Sequence, residues 1–148
     1  QNYGAKKYSR IKEGMKWGSV FSIIAGCIFA VTYLAFNEQL LRLFMEKTVN
    51  EETVVSGMAF LKTVSPFFCF IGLKLVFDGV LKGTGSMKLF MIVTFTDLIL
   101  RVILAFVFAP IWGYEGIWYS WPVGWTTATV LSLIFYKGLS KKLKEKPE

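Results

Sequence analysis

The chain has 148 residues, of which 54% are hydrophobic and 18% are charged, against about 25% charged residues in soluble domains. This composition excludes intrinsic disorder and disfavours a soluble globule. The formal net charge is +7, but the basic residues lie in the connections between apolar stretches and not on one folded face. We therefore expect membrane topology to explain the charge, with no nucleic-acid partner.

Apolar stretches at four positions are long enough to cross a bilayer, since a helix needs roughly 20 apolar residues to span about 30 Å of hydrocarbon. We predict membrane spans at residues 17–37, 54–80, 89–110 and 116–136. The first and last spans contain no charged residue, whereas charges interrupt the other two. The predicted fold class is all-α, an integral membrane four-helix bundle.

The two ends of the chain are basic. Residues 1–16 form a basic, helix-permissive stretch, which we expect to lie as an elbow along the cytoplasmic headgroups, and residues 137–148 form a basic tail. By the positive-inside rule, both termini and the turn at 82–88 face the cytoplasm of a multi-pass cell-membrane protein. Because Gln1 is no initiator residue, we expect the chain to be a fragment of a longer protein.

Prolines interrupt the second and fourth spans. Pro66 lies near the middle of the second span, where a proline removes one backbone hydrogen bond and kinks the helix. Most such kinks serve packing, and the alternative is a gating bend of the kind that transporters use. Pro122 lies within the first two turns of the fourth span, where it costs the helix little, and it is the second candidate for a kink or a gating bend.

Three tryptophans share one face of the fourth span, since Trp118, Trp121 and Trp125 recur at i, i+3 and i+7. The favoured interpretation is an aromatic belt at the membrane interface. The alternative is a wall on which a transported compound stacks.

Charged residues deep in the third span are the sharpest feature of the sequence. With the helix beginning near Lys88, Asp97 lies roughly 13 Å below its cytoplasmic end, and Arg101 lies near mid-membrane. A lone charge at such depth costs at least about 2.5 kcal/mol, so both should face protein or water, and their i, i+4 spacing lets them neutralise each other. We therefore expect neither to face lipid.

A tight turn near Gly85 suggests that the second and third spans form an antiparallel hairpin, which would put Lys74 level with Asp97. This predicts one buried network of Lys74, Asp97 and Arg101, with Asp78 one turn from Lys74. The network either locks the hairpin or takes part in conformational coupling.

Few residues suit catalysis or metal binding. The chain has no histidine, and its two cysteines, Cys27 and Cys69, lie inside predicted spans. They therefore fit neither an extracellular disulfide framework nor a metal cluster. We expect no enzymatic activity, no cofactor and no bound metal.

Several motifs in order resemble those of the multidrug and toxic compound extrusion transporters. They are Gln1-x-x-Gly4-Ala5 followed by Arg10 and Gly14, the segment 78–85, Gly116-Ile117-Trp118, and Trp121-Pro122-x-Gly124-Trp125. The similarity extends over essentially the whole chain. The order of these motifs and the spacing of the four spans are similar to those of the ninth to twelfth helices of such a transporter.

The resemblance implies a twelve-helix carrier of two six-helix lobes, which exports organic compounds in exchange for H⁺ or Na⁺ by alternating access. The partners would be membrane lipid, the remainder of the transporter and small organic substrates. Two alternatives remain open. One is a lipid-linked sugar flippase of the same superfamily, which would need a cavity ringed with bases, and the other is a stand-alone four-helix scaffold subunit.

Overall fold

A computed structural model describes residues 1–45 and 49–144, without the side chain of Lys144. Within these residues the regular structure is helical, which confirms the all-α membrane bundle. The α-helices are α1 (Tyr8–Ala35), α2 (Asn37–Phe44), α3 (Glu51–Val64), α4 (Phe68–Gly83), α5 (Met87–Trp112) and α6 (Tyr114–Lys144). A 3₁₀ turn, Ser65–Phe67, joins α3 to α4.

Three stretches of the described chain are long and apolar enough to cross a membrane: Tyr8–Ala35, Glu51–Gly83 and Met87–Trp112. They contain the second and third predicted spans and all of the first except residues 36 and 37. The fourth predicted span, 116–136, lies within α6, where tryptophan, tyrosine, serine and threonine lower the mean hydropathy. A crossing by α6 therefore stays a prediction.

The boundaries at the two ends differ from the predicted ones. The structure contains a single helix from Tyr8 onward, so residues 8–16 form the first turns of α1, and their position along the headgroups stays a prediction. The helix is continuous because no proline or turn separates these residues from the span, and the two nearby glycines alone do not stop a helix. At the other end, residues 137–144 continue α6, and 145–148 lie outside the described residues.

The helices pack in an order that differs from their order in the chain. Helix α6 lies between α4 and α5, and it contacts both of them extensively, while α4 and α5 touch each other only slightly. Helix α1 packs mainly against α4. The hairpin of this bundle is therefore α5–α6, and the predicted hairpin of the second and third spans is wrong.

The turn of the α5–α6 hairpin is one residue long. Gly113 adopts φ 63° and ψ −144°, a conformation that only glycine reaches readily. Just beyond it, a Cβ added to Gly116 would collide with the backbone of Phe108. The two helices therefore run antiparallel in close contact from the turn onward.

Small residues allow an equally close approach of α1 to α4. Gly18 lies against Val76, Ser22 against Gly72, and Gly26 against the backbone of Cys69. These α1 residues recur every four positions, the spacing of small residues that lets membrane helices pack closely. The contact is antiparallel, since residue numbers rise along α1 as they fall along α4.

An ion-pair cluster ties α2 to the start of α3. Arg42 Nε lies 3.0 Å from Glu38 Oε1, and Arg42 Nη2 lies 2.8 Å from Glu51 Oε2. Hydrogen bonds to Glu51 and Glu38 raise the pKa of the Arg42 guanidinium above its ordinary value. Arg42 therefore keeps its positive charge throughout the physiological pH range.

Candidate functional site: two charge pairs against α6

The first charge pair lies on α5. Arg101 Nε is 3.2 Å from Asp97 Oδ1, and Arg101 Nη2 is 3.4 Å from Asp97 Oδ2. The two residues are one turn apart on the same helix face, which explains the contact. Asp97 is buried and the Arg101 side chain is about one quarter exposed, at 26%. The pair thus combines a buried acid with a base that reaches the surface of the described bundle.

Helix α6 lies directly against the Asp97–Arg101 pair. A Cβ added to Gly124 would collide with the Arg101 side chain and would lie 2.7 Å from Asp97 Oδ1. The missing side chain of Gly124 therefore leaves the room that the pair occupies. One turn earlier on α6, the Trp121 ring centre lies 5.4 Å from the guanidinium carbon of Arg101, within the range of a cation–π contact.

Two buried polar atoms of this pair are left without a hydrogen bond to any described residue: Asp97 Oδ1 and Arg101 Nε. They lie 3.2 Å apart, so they attract each other as charges, but without acceptable hydrogen-bond geometry. A buried polar atom without a hydrogen bond is costly, and a water molecule or an ion bound at the site would remove that cost. This pair therefore keeps hydrogen-bonding capacity available for another group.

The second charge pair lies on α4 and is fully satisfied. Lys74 Nζ donates to Asp78 Oδ2 at 2.6 Å, and Ser132 Oγ on α6 donates to Asp78 Oδ1 at 3.0 Å. Both charged residues are buried. Nearby, Thr129 Oγ1 on α6 donates to the backbone carbonyl of Phe70 at 2.8 Å. These polar contacts fasten α4 to α6.

The four charged residues predicted as one network form two separate pairs in the structure. No hydrogen bond or ion pair joins Lys74 to Asp97 or Arg101, all of which are described residues. The physical reason is that α6 packs between α4 and α5. The two pairs meet α6 at Gly124 and Ser132, which are about 12 Å apart along the helix axis at 1.5 Å per residue.

The three tryptophans of α6 contact phenylalanines of the preceding helices. Phe60 on α3 lies edge-on to Trp118 and Trp121, at 5.6 and 5.9 Å between ring centres. Trp125 is buried and lies 6.4 Å from Phe68. The rings thus form an aromatic contact between α3, α4 and α6, with Trp121 extending it to Arg101.

The two prolines that were predicted to kink their helices, Pro66 and Pro122, lie in different kinds of helix. Pro66 lies in the 3₁₀ turn between α3 and α4, as expected of a proline that cannot donate its share of helix hydrogen bonds. Pro122 lies inside α6 and is buried. Its carbonyl accepts a hydrogen bond from Thr126 Oγ1 at 2.7 Å. The gating role proposed for either residue stays a prediction.

Sequence reasoning missed three residues that shape these sites: Gly124, Ser132 and Gly26. The spacing of Gly18, Ser22 and Gly26 every four residues was a usable signal for the α1–α4 contact. Gly124 stands in the motif Trp121-Pro122-x-Gly124-Trp125, but nothing local shows that it or Ser132 faces a charged residue, because that depends on which helix lies opposite.

Comparison with known families identifies the chain at the family level. The MatE family model matches residues 1–107, well over half of the chain, and the chain therefore belongs to this family. The matched part contains both charge pairs. No curated protein and no solved structure is similar enough to the chain to count as a match. The match to the family model confirms the resemblance that the sequence motifs indicated. The family consists of membrane transporters.

Proposed function

We propose that this chain is part of a cation-coupled efflux antiporter, which exchanges H⁺ or Na⁺ for organic compounds by alternating access. In this proposal the chain supplies the ninth to twelfth helices of a twelve-helix carrier in the cell membrane. Family membership supports transport in general. The observation that carries the coupled mechanism is the ion pair of Asp97 and Arg101, in which Asp97 Oδ1 and Arg101 Nε have no hydrogen bond to a described residue.

The coupling step that we propose is competition between Arg101 and the transported cation for Asp97. An unpaired charge at this depth costs at least about 2.5 kcal/mol, so Asp97 should not lose Arg101 without gaining a proton or a sodium ion. Arg101 is the more exposed partner and already lies over Trp121. Movement of its guanidinium away from Asp97 would free the carboxylate without unfolding either helix.

The contrast with the other pair supports this assignment. Both carboxylate oxygens of Asp78 have partners, Lys74 and Ser132, and neither charged side chain is appreciably exposed. We therefore assign Lys74 and Asp78 a structural role. We assign Asp97 and Arg101 the coupling role.

The test is gradient-driven transport by the protein that the complete reading frame encodes. After reconstitution in liposomes, imposed H⁺ or Na⁺ gradients should drive exchange of an organic cation such as ethidium. Asp97→Asn should abolish this exchange while leaving expression and helix content unchanged. Glu13→Gln, which neutralises an exposed acid of α1, should transport as the unmodified protein does. Normal coupled exchange by Asp97→Asn would refute the coupling role.

The alternative flippase function has less support. A pyrophosphate-binding cavity needs unpaired bases, yet Lys74 in the second predicted span and Arg101 in the third are each paired with an acid. The scaffold alternative does not account for membership of a transporter family. We therefore retain the antiporter as the proposed function.

A further inference from the structure

Two thiols that belong to neither charge pair lie in contact at the interface of α1 and α4. The Sγ atoms of Cys27 and Cys69 are 3.5 Å apart, and both cysteines are free. Cys69 Sγ also lies 3.6 Å from the backbone carbonyl of Ile23. Neither the sequence motifs nor the proposed transport mechanism uses these residues.

The backbone holds the two thiols together. A Cβ added to Gly26 would lie 2.8 Å from the Cα atom of Cys69, so the absent side chain lets the two helices come into backbone contact beside the thiols. Gly72 permits the same close approach to Ser22 one turn away. The thiol pair is therefore fixed by helix packing and does not depend on a flexible loop.

The surroundings of the pair are apolar and accessible. Cys27 is exposed and Cys69 is partly exposed on the described bundle. A groove of about 400 Å³ runs along α1 and α4, and its lining includes Gly26 and Phe68, the chain neighbours of the two cysteines, but neither cysteine itself. A ligand with an apolar substituent suits this groove better than a hydrated ion.

We propose that Cys27 and Cys69 form a dithiol site for a trivalent arsenical that carries one apolar substituent. Thiolates are soft ligands and prefer soft, thiophilic centres. A trivalent arsenic centre is pyramidal, so its two sulfur ligands lie close together, whereas a linear two-coordinate metal ion holds them further apart. The 3.5 Å separation of the two Sγ atoms suits the pyramidal centre.

The reaction is a condensation that needs no oxidant. In the hydrated form of the reagent, R–As(OH)₂, two As–O bonds break and two As–S bonds form. Each thiol proton leaves with one hydroxyl group, so two water molecules are released and arsenic stays trivalent. The product bridges α1 and α4 through a single atom.

The experiment uses phenylarsine oxide as the probe on the purified full-length protein in detergent. After treatment, free thiols are alkylated with N-ethylmaleimide and the peptides that contain Cys27 and Cys69 are quantified. We expect both positions to be protected together at one equivalent of reagent. The dithiol 2,3-dimercaptopropanol should restore alkylation, while the same concentration of a monothiol should not.

Variants separate a dithiol site from independent thiols. Cys27→Ser should remove protection at Cys69, and Cys69→Ser should remove it at Cys27. A matched control combines Cys69→Ser with Leu75→Cys, which keeps two thiols but moves one of them about 9 Å along α4, and it should give no joint protection. Protection of Cys69 that persists in Cys27→Ser would overturn the proposal.

Intact mass gives a second readout that does not depend on alkylation. The unmodified protein should gain one more arsenical group than Cys27→Ser does under the same conditions. An equal mass gain in the two proteins would also overturn the proposal.

Discussion

The hydroxyl of Ser132 on α6 donates a 3.0 Å hydrogen bond to Oδ1 of Asp78 on α4. Since Lys74 occupies the other carboxylate oxygen, the acid is fully partnered although only 2% of it is exposed. Helix α6 thus satisfies one charge pair with a hydroxyl and makes room for the other with Gly124. Ser132 and Gly124 therefore allow two charge pairs, Lys74–Asp78 and Asp97–Arg101, to pack against α6.

Removal of the Ser132 hydroxyl should destabilise the bundle moderately. We expect Ser132→Ala to lower the free energy of unfolding by about 1 kcal/mol, because hydrogen bonds between membrane helices are worth about that much. Thermal unfolding in detergent would measure the change. Ser120→Ala is the matched control, since Ser120 is also buried but donates only within its own helix, to Ile117. An equal effect in both variants would contradict the interhelical role.

Replacing one residue of the Lys74–Asp78 pair should lower the free energy of unfolding much more than replacing both. Asp78→Leu alone leaves a buried ammonium unpaired and should cost about 3–5 kcal/mol, whereas Lys74→Met with Asp78→Leu should cost much less. Chemical unfolding of the single variants and the double variant gives the coupling energy. If the double variant is less stable than either single variant, the pair does more than neutralise charge.

Gly124 should tolerate no side chain. In Gly124→Ala the new Cβ would meet Arg101 and Asp97, and overpacking of this kind costs about 1–3 kcal/mol. The control on the same helix is Gly138→Ala, whose Cβ would meet nothing within 4 Å, and which should gain up to about 1 kcal/mol from helix propensity. Both are measured by thermal unfolding. A neutral Gly124→Ala would show that α5 and α6 pack less closely than described.

Gly26 should behave in the same way at the α1–α4 contact. Gly26→Ala brings a Cβ to 2.8 Å from the Cα of Cys69, so the helices must separate, and we expect a loss of about 1–3 kcal/mol. Gly14→Ala on α1 is the control, because its Cβ would meet nothing within 4 Å. Cross-linking yield between cysteines placed at positions 18 and 76 would report the separation directly. An unchanged yield in Gly26→Ala would contradict it.

Local features of the sequence could be read correctly. The spans follow from length and hydropathy, and the i, i+4 spacings put Asp97 near Arg101 and Lys74 near Asp78, because both partners of each pair lie on one helix. The break at Pro66 follows from its missing N–H. None of these inferences needs to know which helix lies beside which.

Helix neighbours could not be predicted in the same way. Two helices joined by a short turn were expected to pack together, which placed Lys74 beside Asp97, but α6 takes that position against α5. The choice depends on side-chain volumes on several helices at once, such as the absent side chain of Gly124. The tryptophans show the same limit, because their contacts with Phe60 depend on where α3 lies.

The single-residue link at Gly113 has a consequence for how α5 and α6 can move. With only one residue between the two helices, their ends cannot separate at the turn. Any displacement of α5 against α6 must therefore pivot about Gly113.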